Sequence, residues 1–142
     1  MSAYAVLGAH GGSGASTVTE LLRGQGAEVA ELTAGQRLPV SAIPVLVARS
    51  TAKGLAAAAN ALAAWHPSVP KPWLVVVADV PASPPPPVKY RLKALGGQTR
   101  GSVVVPYLWP LRGADTAAEV ADNKSVSRAA VQLREALLEE TR

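Results

Sequence analysis

Residues 3–17 read Ala3-Tyr4-Ala5-Val6-Leu7-Gly8-Ala9-His10-Gly11-Gly12-Ser13-Gly14-Ala15-Ser16-Thr17. A short apolar run, a glycine-rich turn and a helix-forming stretch from Ser16 to Leu22 make the strand, loop, helix context of a phosphate-binding loop. In a working loop of the form GxxxxGK[ST], consecutive backbone N–H groups wrap the phosphates and the helix N-terminus adds roughly half a positive charge. Gly11, Gly12 and Gly14 can supply that cradle. Ala15 stands where the lysine should carry a full charge to the transferred phosphate, while Ser16 keeps the hydroxyl that would hold magnesium. The shape of the loop is kept and its main charge is missing.

Three readings of the loop stand side by side. The first is a tight strand-to-helix turn, with Thr17 and Glu20 as a capping box. The second is a retained anion or nucleotide site over Gly11, Gly12, Ser13, Gly14, Ala15, Ser16 and Thr17, taking ATP, ADP or a phosphate-type anion. The third is true hydrolysis, which the missing lysine opposes.

The loop resembles that of the ParA/MinD partitioning ATPases, whose deviant form carries a second, signature lysine just before the paired glycines. In this chain His10 occupies that place. The likeness continues at Val45 to Leu55, similar to that family's strand, small-polar turn and helix. It continues at Leu74 to Asp79, placed like the strand whose end reads the base, and at Ser102 to Arg112, similar to a late strand-Pro-loop-Arg segment. The combination also resembles a family of short P-loop-derived proteins of GC-rich bacteria met beside conjugative-element genes. These resemblances imply a Rossmann-like P-loop domain, base contact by Asp79 and an association with a mobile element.

The departures are specific. Only about twenty residues separate the first helix from Val45, where the ParA/MinD family places two further strands and the aspartate that orders magnesium. Glu28 and Glu31 lie in that interval, in the pattern Ala27-Glu28-Val29-Ala30-Glu31-Leu32, which predicts an edge strand with its acids facing water. Three catalytic parts are absent: the loop lysine, the signature lysine and the metal aspartate. No catalytic residue and no metal ligand is therefore assigned.

Alternation continues along the chain. Ile43 to Ala48 reads as a strand, and Thr51 caps a helix carrying Leu55, Ala59, Leu62 and Trp65 on one face. Trp73 to Ala78 is the next strand. Pro81 and the Pro84-Pro85-Pro86-Pro87 tract predict an extended connection before a short helix marked by Val88, Leu92 and Leu95 and ended by Gly96 and Gly97. Ser102 to Val105 is the last strand and Pro106 to Gly113 a loop. Ser125 then caps a helix with Val126, Ala130, Leu133 and Leu137 on one face. The expectation is one domain over residues 1–142, a three-layer α/β fold with a mostly parallel sheet in the order 2-1-3-4-5.

Composition excludes several classes. The chain has 142 residues, 49% hydrophobic and 17% charged, which suits one hydrophobic core. With no phenylalanine, that core must come from valine, leucine and alanine. No cysteine means no disulfide framework, and two histidines, His10 and His66, without clustered carboxylates make no zinc site. No apolar stretch reaches the length of a membrane span and no signal peptide is read, so the expected compartment is the cytoplasm.

Charge is uneven. Residues 71–112 hold Lys71, Lys89, Arg91, Lys93, Arg100 and Arg112 against Asp79 alone, six against one, so the whole +4 excess of the chain lies in this segment. Lys89, Arg91 and Lys93 are the candidate contacts to nucleic acid or an acidic partner; the plainer reading is a solvated helix face. His66 reads as a helix-end residue. Asp79 caps the proline-rich turn or reaches a base. Trp109, Tyr107 and Leu108 close the core or meet a partner, and Arg49, at a strand end near the loop, faces an anion or stays solvated. The chain reads best as a non-catalytic accessory or scaffold protein with a protein partner. A minimal ATPase borrowing a cation, a weakly nucleic-acid-associated protein and a homodimer stay open beside it.

Overall fold

The sheet is parallel, as the alternation of apolar runs and helical stretches predicts, and its order is the expected β2-β1-β3-β4-β5. The computed structural model describes residues 3–33, 36–39, 41–81, 84–108, 110, 111, 120 and 122–139. The strands are β1 (Ala3–Gly8), β2 (Glu28–Leu32), β3 (Ile43–Arg49), β4 (Trp73–Val77) and β5 (Gly101–Val105). The helices are α1 (Ala15–Gly24), α2 (Ala52–Ala63), α3 (Pro86–Ala94) and α4 (Lys124–Glu139), and a 3-10 turn covers Gly96–Gln98. All four strand pairings are parallel, with Val6 opposite Val45, Val45 opposite Trp73 and Trp73 opposite Gly101.

Strand periodicity sorts the core into two layers. Val45, Val47, Trp73, Val75 and Val77 pack with α1 and α4 through Val18, Leu22, Val126, Ala130, Leu133 and Leu137. The alternate residues Leu46, Ala48, Leu74 and Val76 pack with α2 and α3 through Leu55, Ala58, Leu62, Val88 and Leu95. β4 is buried along its whole length because both of its faces are covered. Each fully buried leucine or valine contributes about 1.5–3 kcal/mol, which is how a core without phenylalanine holds. On the first layer the Arg134 guanidinium lies 5.4 Å from the Tyr4 ring centroid.

Several local expectations need correction. α1 begins at Ala15 with Gly14 as its N-cap and no side-chain cap, so the Thr17–Glu20 capping box does not form. Thr17 sits in the first turn, too far inside the helix to cap it. Asn123, not Ser125, caps α4: its Oδ1 accepts from the Ser125 N–H at 3.0 Å. The proline tract is split, because Pro86 and Pro87 are the first residues of α3 while Pro85 is extended. A proline at the first helical position loses no hydrogen bond and already has a helical φ. α2 ends at Ala63, leaving Trp65 and His66 beyond it; the indole N–H of Trp65 donates to Pro70 O, and His66 Nδ1 bonds Ser68 in a turn. Trp109, Arg112 and Gly113 lie outside the described residues.

Candidate functional site

β1 leads toward β2 on one side and β3 on the other, so the order of strands reverses between β1 and β3. At such a reversal the connections leave in opposite directions and open a crevice at the carboxyl ends of the strands, where ligands bind in folds of this kind. The β1–α1 loop and the end of β3 flank this crevice, and side chains tie them together. His10 Nε2 accepts from the Arg49 N–H at 3.2 Å, so its proton is assigned to Nδ1, which donates to Gly11 O at 2.8 Å. Arg49 Nε–H donates to Gly12 O at 2.9 Å.

The loop keeps the form of a backbone cradle. Gly12 and Gly14 have φ of +74° and +97°, a region costly for residues with a Cβ. A Cβ at Gly14 would also lie 3.1 Å from Val77 Cγ2, so this glycine sets how closely the loop approaches β4. Ser13 turns inward and is buried, its Oγ accepting from the Ala15 N–H at 3.3 Å. The N–H groups of Gly11, Gly12, Ser13 and Gly14 make no hydrogen bond within the described residues. They stand at the N-terminus of α1, whose dipole favours negative charge.

The eight candidate residues divide into three groups. Gly11, Gly12, Ser13, Gly14 and Ala15 form the loop and the first position of α1; Ala15 packs its methyl group against the core and adds no charge. Ser16 points away, its hydroxyl donating to Glu31 Oε2 of β2 at 2.7 Å. Thr17 and Asp79 meet across a cleft of about 360 Å³, whose wall also includes Arg49, Val77, Tyr107 and Leu108. Arg49 and Asp79 share this cleft without forming an ion pair. Among the described residues, no three histidine, cysteine, aspartate or glutamate side chains group as metal ligands.

The basic segment does not gather into one patch. Lys89 and Lys93 are a turn apart on α3, whereas Arg91 lies half a turn from both. Lys71 Nζ donates to Gly97 O at 3.1 Å and Arg100 Nε to Lys71 O at 2.9 Å, which pins the chain at the amino ends of β4 and β5. That is the sheet edge opposite the loop.

Two relationships escaped the sequence reading. Glu31 is exposed, as expected of an acid on an edge strand, yet it also holds the Ser16 hydroxyl; it follows Glu28 by three residues, so the two acids point to opposite faces. The bonds of His10 and Arg49 join segments 39 and 37 residues apart. The only signal for them was that Arg49 ends one strand of a parallel pair and His10 lies two residues beyond the end of the other. Among the described residues, no helix is long and apolar enough to cross a membrane. Compared with known protein families, curated proteins and solved structures, the chain matches none of them.

Proposed function

We propose that this chain is a non-catalytic accessory or scaffold protein on a P-loop fold of the ParA/MinD type, in which the loop Gly11–Ser16 retains weak binding of a nucleotide or phosphate-type anion. The observation that carries this reading is a cradle with open N–H groups at Gly11 to Gly14 beside an Ala15 that brings no charge. Backbone donors and a helix N-terminus are enough for ground-state contact with an anion. Phosphoryl transfer further requires a cation at the transferred phosphate, a held metal ion and a positioned water. Here the Ser16 hydroxyl is engaged by Glu31. The association with a mobile element belongs to the same proposal and follows from the resemblance of the loop and of the strands after it.

One observation favours a second reading, a minimal ATPase. Arg49 reaches the loop from β3 and lines the cleft with Thr17 and Asp79, so its guanidinium is a candidate stand-in for the lysine. Phosphate release with ATP and magnesium, measured beside the melting temperature, separates the two. The expected result is no turnover above buffer and a melting temperature raised by about 3–6 °C once ligand exceeds its Kd roughly tenfold. Turnover that follows the protein through purification and is lost in Arg49→Ala overturns the non-catalytic reading.

A further inference from the structure

The N-terminal ends of α2 and α3 face a second groove, of about 570 Å³, lined by Ala52 of α2 and by Pro86, Pro87, Tyr90, Arg91 and Ala94 of α3, with Val88 at its base. Its walls are apolar, yet Tyr90 is 78% exposed, a large aromatic surface left uncovered. Arg91 and the neighbouring Lys53 of α2 are exposed and carry no partner within the described residues. Ala52 and Pro86 are the first residues of their helices, so the positive ends of α2 and α3 border one part of the groove, which runs along α3 to its last residue, Ala94. α2 and α3 together carry Lys53, Lys89, Arg91 and Lys93 and no acidic side chain, so the helices that form the groove hold nothing to repel an acidic chain.

The chemistry of the lining narrows the occupant. Pro86 and Pro87 have no N–H, so the end of α3 offers a positive field without donors. At α3 a bare phosphate would lose the backbone bonds that make helix N-termini good anion sites. Lys89 and Lys93 lie on the other flank of α3 and cannot join Arg91 in tracking a row of phosphates. An exposed tyrosine and an arginine beside an apolar groove are instead the residue types that dominate protein interfaces.

We propose that this α2–α3 groove docks an acidic segment of a partner protein, with an apolar side chain packed on Tyr90 and flanking carboxylates paired with Arg91. The inference rests on the scaffold reading of the chain and names the surface through which it would act. The test is selection of a random displayed peptide library on the full chain, followed by anisotropy titration of the enriched peptides. The expected peptides carry aspartate or glutamate around one leucine or aromatic residue. Their Kd should rise at least about tenfold in Tyr90→Ala and in Arg91→Glu and change little in Lys89→Ala with Lys93→Ala.

Enrichment without acidic bias, or binding indifferent to both Tyr90 and Arg91, overturns the proposal. Binding lost equally through Lys89 and Lys93 and displaced by short single-stranded DNA assigns the surface to nucleic acid instead. Self-association in sedimentation that Tyr90→Ala abolishes assigns it to a second copy of the chain. The melting response to ADP is followed in the same variants: its absence beside intact peptide binding counts against the loop, and its persistence beside failed peptide binding counts against the groove.

Discussion

Arg49 and Gly12 are joined across the point where the strand order reverses: the guanidinium Nε–H donates to the glycine carbonyl at 2.9 Å. The bond fixes the crown of the loop to the end of β3 and brings a permanent positive charge beside a loop that has no cationic side chain. Its companion, from the Arg49 N–H to His10 Nε2, uses the imidazole as an acceptor where the resembled loops carry a lysine.

Arg49→Ala should therefore loosen the loop and weaken anion binding together. The lost bond is partly exposed, so the expected cost is about 1 kcal/mol, seen as a melting temperature lower by roughly 2–4 °C. ADP affinity measured calorimetrically should fall severalfold. Arg49→Lys should not restore it, because an ammonium lacks the fixed fork that reaches the carbonyl and an anion at once. Affinity unchanged in the alanine variant would remove Arg49 from the site.

Ala15→Lys should act in opposite directions on stability and on binding. Without ligand, a cation in the first turn of α1 opposes the helix dipole, for an expected loss of about 0.3–1 kcal/mol. With ADP, the restored charge should tighten binding about tenfold or more and recover the lost melting temperature. Titration that detects no ADP binding to the lysine variant would indicate a plain turn.

Gly14 and Gly11 should respond differently to the same added methyl group. Gly14→Ala meets both a φ of +97° and the Val77 side chain at 3.1 Å, for an expected loss of about 1–3 kcal/mol in denaturant unfolding. A Cβ at Gly11 meets nothing within 4 Å, so Gly11→Ala should stay within about 0.5 kcal/mol of the parent. Equal costs at the two positions would contradict the loop geometry.

The Ser16–Glu31 bond is best measured as a coupling. A double-mutant cycle of Ser16→Ala and Glu31→Gln should give about 0.5–1 kcal/mol, because the bond is charge-assisted but exposed. If the bond also keeps the hydroxyl from a metal ion, Glu31→Ala should increase the effect of magnesium on ADP binding. A coupling near zero would mean that the contact contributes nothing to stability.

The α/β alternation was legible because β1, β3 and β4 are continuous apolar runs, β2 alternates as an edge strand does, and the helices show their own periodicity. Ile43 to Ala48 and Trp73 to Ala78 are too apolar for a one-sided sheet, so helices on both faces followed. Capping was less legible. Thr17 and Ser125 are good cap residues by type, yet a left-handed Gly14 and an upstream Asn123 took those positions, since the fold of the preceding chain decides where a helix begins. The split of the Pro84–Pro87 tract has the same origin: prolines suit an extended segment and a helix's first turn equally well.

The sequence by itself determined the α/β architecture and the glycine-rich turn from β1 to α1, because strand and helix periods and the need for positive φ are properties of neighbouring residues. Tertiary structure alone decided which distant groups meet: Arg49 on Gly12, Glu31 on Ser16, and Thr17 across a cleft from Asp79. Those relationships depend on strand register and on the direction in which each helix leaves the sheet. Both are set by packing the whole core at once, and no local stretch of the chain encodes them.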